Sequence, residues 1–138
     1  MFTVITQINL LGVLVATLSS FILGGIWFGA IVGKLYLVAM GKENAPQQKP
    51  SLLFIFGPMA CNFVITLTSA MLLTMLELHT LPEALAFGAL VGIGYLISMC
   101  MMIAINPNFP HPFLYTAINA PYFLGTSLLS SVILVLMG

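Results

Sequence analysis

Arginine and aspartate are absent from this 138-residue chain, and charge of either sign is scarce. The basic residues are Lys34, Lys42 and Lys49, and the acids are Glu43, Glu77 and Glu83. Nucleic-acid binding needs a basic face to neutralise phosphates, and this composition has none. Soluble domains carry about 25% charged residues. Here the figure is 4%, against 61% hydrophobic residues and a mean hydropathy of +1.18. A water-soluble globule is excluded, and the length suits one domain.

Chemistry-bearing groups are equally few. Cys61 and Cys100 match no metal-ligand or redox spacing and read as buried small hydrophobes. No phosphate loop, haem or dinucleotide motif occurs, so neither a cofactor nor a metal is expected. No apolar segment holds Asp, Glu, Lys, Arg or His. That weighs against a proton relay, a proton-coupled pump and intramembrane hydrolysis, and no catalytic residue is assigned. The N-terminus lacks a basic n-region, so no signal cleavage is expected.

What the chain has is uncharged apolar length. Segments at residues 8–33, 52–76, 84–105 and 113–137 each exceed the roughly 20 residues that cross a hydrocarbon core. Pro58 could occupy a first helical turn and move the second start to Gly57. The fold expected is an all-α bundle of four transmembrane helices in a single domain. The first segment carries small residues in two helical rows: Gly12, Ala16, Ser20 and Gly24, then Gly25, Gly29 and Gly33. Such rows let neighbouring backbones approach closely. Gly88 and Gly92 repeat the pattern in the third segment, at the depth of Gly12 and Ala16, which predicts direct contact between segments one and three. An internal repeat of segments one-two in three-four, suggested by Asn62-Phe63 and Asn119, is not favoured, because the connections differ in length.

All three lysines lie between segments one and two. Cytoplasmic loops carry the Lys/Arg excess, so this connection is expected inside and both termini outside. Trp27, Phe28 and Tyr36 then fall near the cytoplasmic interface. Residues 35–40 suit the membrane surface, and residues 41–50 read as a mobile loop. The lysines suit simple positive-inside topology better than a dedicated site for anionic lipid.

Asn9-Leu10, Phe21, Gly24, Trp27-Phe28 and Gly33-Lys34 resemble the start of the small membrane family catalogued as domain of unknown function 1761. Phe113-Leu114, Ile118-Asn119 and Tyr122-Phe123-Leu124 resemble its final span. Phe28 stands where that family commonly has tyrosine, and Tyr36 where it has tryptophan. The resemblance implies a four-helix protein of the bacterial inner membrane, and it implies no activity.

Polar groups give the candidate sites. Glu77, His79 and Glu83 are zinc-type ligands by chemistry, but they read better as a solvated loop. Residues 106–112 hold three prolines and His111, and they read as a stiff turn ahead of a pH-sensitive or ligand-touching histidine. Asn62, Asn119, Ser98, Cys100, Tyr122 and Trp27 fall in one layer of the cytoplasmic half, counted at about 1.5 Å per residue. Pro121 cannot donate to the Ala117 carbonyl, and a kink there would open that layer. The expectation is a cavity for a small neutral or lipidic molecule, with interhelical hydrogen bonding as the alternative use of the same groups. A non-catalytic accessory or structural subunit is the runner-up function. The partners expected are the bilayer and either further copies of the chain or another membrane protein.

Overall fold

The computed structural model describes residues 2–46 and 49–138. After a short 3-10 turn at Phe2–Gln7 come α1 (Leu10–Ile31), the short α2 (Gly33–Ala39), α3 (Leu52–Met75), α4 (Leu81–Ala104) and α5 (Pro112–Met137). Among the described residues all regular structure is helical, and four helices are long and apolar enough to cross a membrane. The lysine-bearing connection includes Gln47 and Gln48, so part of the loop expected there lies outside the described residues.

Each of the four long helices starts where a side chain or proline replaces missing backbone partners. Asn9 caps α1, its Oδ1 accepting from the N–H groups of Leu11 (3.0 Å) and Gly12 (3.3 Å). Ser51 caps α3 through Phe54 N–H, so α3 begins at Leu52 and Pro58 sits inside it rather than in its first turn. The α4 helix starts three residues before the expected Ala84. Glu83, taken from sequence as a solvated charge, folds its carboxylate back onto the N–H groups of His79 and Thr80 and the Thr80 hydroxyl.

Two helices contain π turns. In α1 the turn covers Trp27–Ile31, closed by Val32 N–H on the Trp27 carbonyl. In α4 it covers Gly92–Ile97, and the Ser98 hydroxyl donates to the Ile93 carbonyl. Such bulges shift the helical register by one residue and let the two ends of a span face different neighbours.

The helix at the centre is α5, with α1 and α4 packed against it antiparallel. Along α1, Gly12 meets Met137, Ser20 bonds Ser130 (3.0 Å), and Gly24 receives the Tyr122 ring. Along α4, a Cβ on Gly88 would stand 2.9 Å from Leu128 Cα, and one on Gly92 would stand 3.2 Å from Leu124 Cα. The expected contact between segments one and three is therefore corrected: both small-residue rows are used, but against α5. An apolar bundle exposes no polar face that would tell neighbours apart, so depth alone could not choose the partner. The second row also divides. Gly25 and Gly29 face open space, while Gly33 lets its own backbone pass the Phe28 carbonyl, where a Cβ would come within 2.7 Å.

Against this trio, α3 packs on α1 and touches α5 less extensively. The core lies towards the end holding Asn9, where Val13, Ala16, Ala70, Leu73, Phe87 and Leu134 cluster. Asn9 Nδ2 donates to the Met137 carbonyl, joining the start of α1 to the end of α5. At the other end, the turn between α4 and α5 rests its Pro110 on Gly41, just past α2.

Candidate functional site

Between α3 and α4 the bundle is not closed. A cleft of about 230 Å³ lies there, floored by α5. From α3 it is lined by Pro58, Cys61, Asn62, Ile65 and Ser69, and from α4 by Leu96. The floor consists of Tyr122, Phe123, Thr126, Ser127 and Ser130. Their spacing explains the floor: positions 122, 126 and 130 recur every fourth residue, which stacks them on one face of α5. Counted from Leu52, the lining of α3 runs from about 9 Å to about 26 Å along the helix. The cleft thus begins in the lysine-side half and continues past the middle.

The six expected site residues separate. Asn62 and Tyr122 line the cleft. Asn119 is buried and donates to the Tyr115 carbonyl one turn back, at 2.7 Å. The Trp27 indole donates to the Ile118 carbonyl at 3.0 Å, beside the Ala117 carbonyl that Pro121 deprives of a donor. Both therefore serve the α5 backbone. Ser98 is exposed and spent on the α4 π turn, and Cys100 is buried away from the cleft lining. Cys61, expected to be buried, is exposed at the cleft. The layer of six becomes two groups at a cleft and four elsewhere.

Several other hydroxyls bond within their own helix. Thr17, Thr68, Thr74 and Ser131 each donate to the carbonyl four residues back. Bonds between helices among the described residues include Ser20 to Ser130, Trp27 to Ile118, Asn9 to Met137, and the Thr116 hydroxyl to the Met101 sulfur at 3.2 Å.

Two features escaped the sequence reading. One is that the Ser/Thr series of the last segment gathers on a single cleft floor, which its four-residue spacing could have signalled. The other is an aromatic chain. Phe109, Tyr115, Tyr36, Phe28, Tyr122 and Phe123 follow one another with ring centroids 4.9 to 5.8 Å apart. It joins the α4–α5 turn, α2 and the end of α1 to the cleft, in the tilted and edge-on geometries that aromatic pairs prefer. At the opposite end a smaller recess of about 130 Å³ includes Asn9, Thr74 and His79. Among the described residues no three potential metal ligands converge.

Four helices, each long and apolar enough to cross a membrane, place the chain in the class of four-helix bundles compatible with a membrane protein. It belongs to the family described as protein of unknown function (DUF1761), whose model matches residues 11–135. Neither a curated protein nor a solved structure matches the chain.

Proposed function

We propose that the protein binds a small neutral or lipidic molecule in the cleft between α3 and α4, or passes it across. The observation that carries this reading is the cleft's composition: apolar walls, a hydroxyl-bearing floor and an asparagine, with no carboxylate, amine or imidazole. Ligand sites take this form, apolar with a few placed polar groups. An ion would have no counter-charge in such a site, which favours an uncharged ligand. In this reading the protein sits in a bacterial cytoplasmic membrane as a homo-oligomer.

Native mass spectrometry of protein extracted in mild detergent tests the proposal. Wild type should carry a small molecule that a Cys61→Trp variant, with the cleft filled, does not carry. A wild-type protein that emerges with nothing bound overturns it.

A second reading, an accessory subunit of a membrane complex, draws support from α3. Of the four long helices α3 has the smallest buried share, and Leu52, Leu53, Phe54 and Phe56 are all exposed. That reading requires a stoichiometric second chain on native electrophoresis.

A further inference from the structure

The cleft holds more hydrogen-bonding capacity than the protein uses. Asn62 lines it while its Nδ2 is buried with no partner. A half-turn of the terminal carboxamide exchanges its oxygen and nitrogen, which are alike in shape. Among the described residues, no hydrogen bond within the protein engages the hydroxyls of Ser69 or Ser127, which line the same space, while the Tyr122 hydroxyl lies against Gly24 of α1. Thr126 and Ser130 differ, being bonded to the Phe123 carbonyl and to Ser20. In hydrocarbon an unmet polar group has no water to turn to, so each of the free groups favours a bound partner.

The way in is lateral. Helices α3 and α4 each pack elsewhere, on α1 and α5 respectively, and the seam between them is where the cleft opens. Exposed Cys61 and Ile65 flank it on α3. A molecule dissolved among lipid tails reaches the floor through this seam without crossing a headgroup layer. The size sets a bound as well. A cavity of about 150 Å³ holds benzene, so 230 Å³ accepts one substituted ring or the ester end of a glycerolipid.

We infer that the cleft is a lateral site for an uncharged lipid-phase molecule whose head carries carbonyl oxygens. These oxygens accept from the Asn62 amide and from the hydroxyls of Ser69 and Ser127. A carbonyl has two lone pairs and no proton, so it can accept from the Asn62 amide and from each cleft hydroxyl. The inference rests on the binding reading above and names its ligand class. Two sources share this chemistry: a quinone ring and an acylglycerol ester.

The test uses the full chain in detergent, titrated with decyl-benzoquinone, dioctanoyl glycerol, decane and dioctanoyl phosphatidic acid, with binding read by native mass spectrometry. The quinone, the glycerol ester or both should bind wild type. Asn62→Leu should weaken that binding about fivefold or more, the equivalent of one hydrogen bond. Ser69→Ala removes one cleft hydroxyl with little change in volume and serves as a second variant should Asn62→Leu fail to fold. Binding by one carbonyl probe alone identifies the source. Decane binding as well as either carbonyl probe, or carbonyl binding indifferent to both variants, overturns the inference but leaves a ligand site standing. Phosphatidic acid binding more tightly than dioctanoyl glycerol overturns the requirement for an uncharged head. Binding by none of the four overturns this inference and the proposed function together.

Discussion

At the level of single residues, two helix ends share a hydrogen-bond pattern but differ in the residue at the turn. After α2, Gly41 N–H reaches the Val38 carbonyl and Lys42 N–H the Leu37 carbonyl, with Gly41 at φ 64°. After α3, Glu77 N–H reaches Thr74 and Leu78 N–H reaches Leu73, with Glu77 at φ 54°. Both are left-handed caps of the kind that favours glycine. A side chain in this conformation costs roughly 1–2 kcal/mol. Glu77→Gly is therefore expected to stabilise the protein by about 1 kcal/mol, read as a higher midpoint in an SDS-unfolding titration. Gly41→Ala should move the midpoint down, and by more, because the new Cβ also meets Pro110 Cγ at 3.0 Å. The same contrast holds between neighbours in α1. A Cβ on Gly24 would meet the Tyr122 ring and hydroxyl at 3.0 to 3.2 Å, and one on Gly25 would meet nothing within 4 Å. Gly24→Ala should cost about 1–3 kcal/mol as an overpacked contact, with Gly25→Ala close to neutral; equal midpoints for the two variants would refute the assignment.

Among the elements, the decisive contact is α4 against α5. Gly88 and Gly92 stand one turn apart, opposite Ser127 and Ser131, which have the same spacing. This is close backbone approach through small residues, the main source of helix association where lipid tails are as apolar as the side chains. Gly88→Leu places its side chain in the α5 backbone and should lower stability by more than about 3 kcal/mol. Leu90→Ala, on an exposed position of the same helix, should lower it by less than about 1 kcal/mol. Comparable losses in a thermal-aggregation assay would count against this packing. The example also shows how far the sequence could be read. Four long apolar segments fix four long helices, because hydrocarbon admits few other backbone arrangements. The small rows marked which faces are used, yet their partner stayed hidden, since any apolar face can serve. The π turns at Trp27–Ile31 and Gly92–Ile97 were hidden for another reason: no residue pattern requires them. At the cleft, residue type alone pointed to Asn62 and Tyr122. It also pointed to Asn119 and Trp27, whose polar atoms turn instead to α5 carbonyls near Pro121.

For the molecule as a whole, the two ends of the bundle are chemically unlike. One end gathers Asn9, Met137 and the capped turn of His79, Thr80 and Glu83. The other gathers α2, the proline-rich turn of residues 106–112 that reaches Gly41, and all three lysines, which are exposed. With four helices the starts of α1 and α3 lie at opposite ends, so one measurement of sidedness orients every helix. Positive residues are retained on the cytoplasmic side during insertion. The expected arrangement therefore has the lysine-bearing connection inside and both termini outside. Alkaline phosphatase fused after the C-terminus should be active, and the same enzyme fused at Glu43 inactive; a fluorescent protein that folds only in the cytoplasm should report the reverse. Because lysine is the only bias, its removal has a defined consequence. Replacing Lys34, Lys42 and Lys49 together with glutamine should give a mixture of orientations, whereas the same exchange at Glu77 and Glu83 should leave orientation unchanged, since acids contribute little to it. An active phosphatase at Glu43 in the wild-type chain would invert the arrangement and put the aromatic chain and α2 on the outer face.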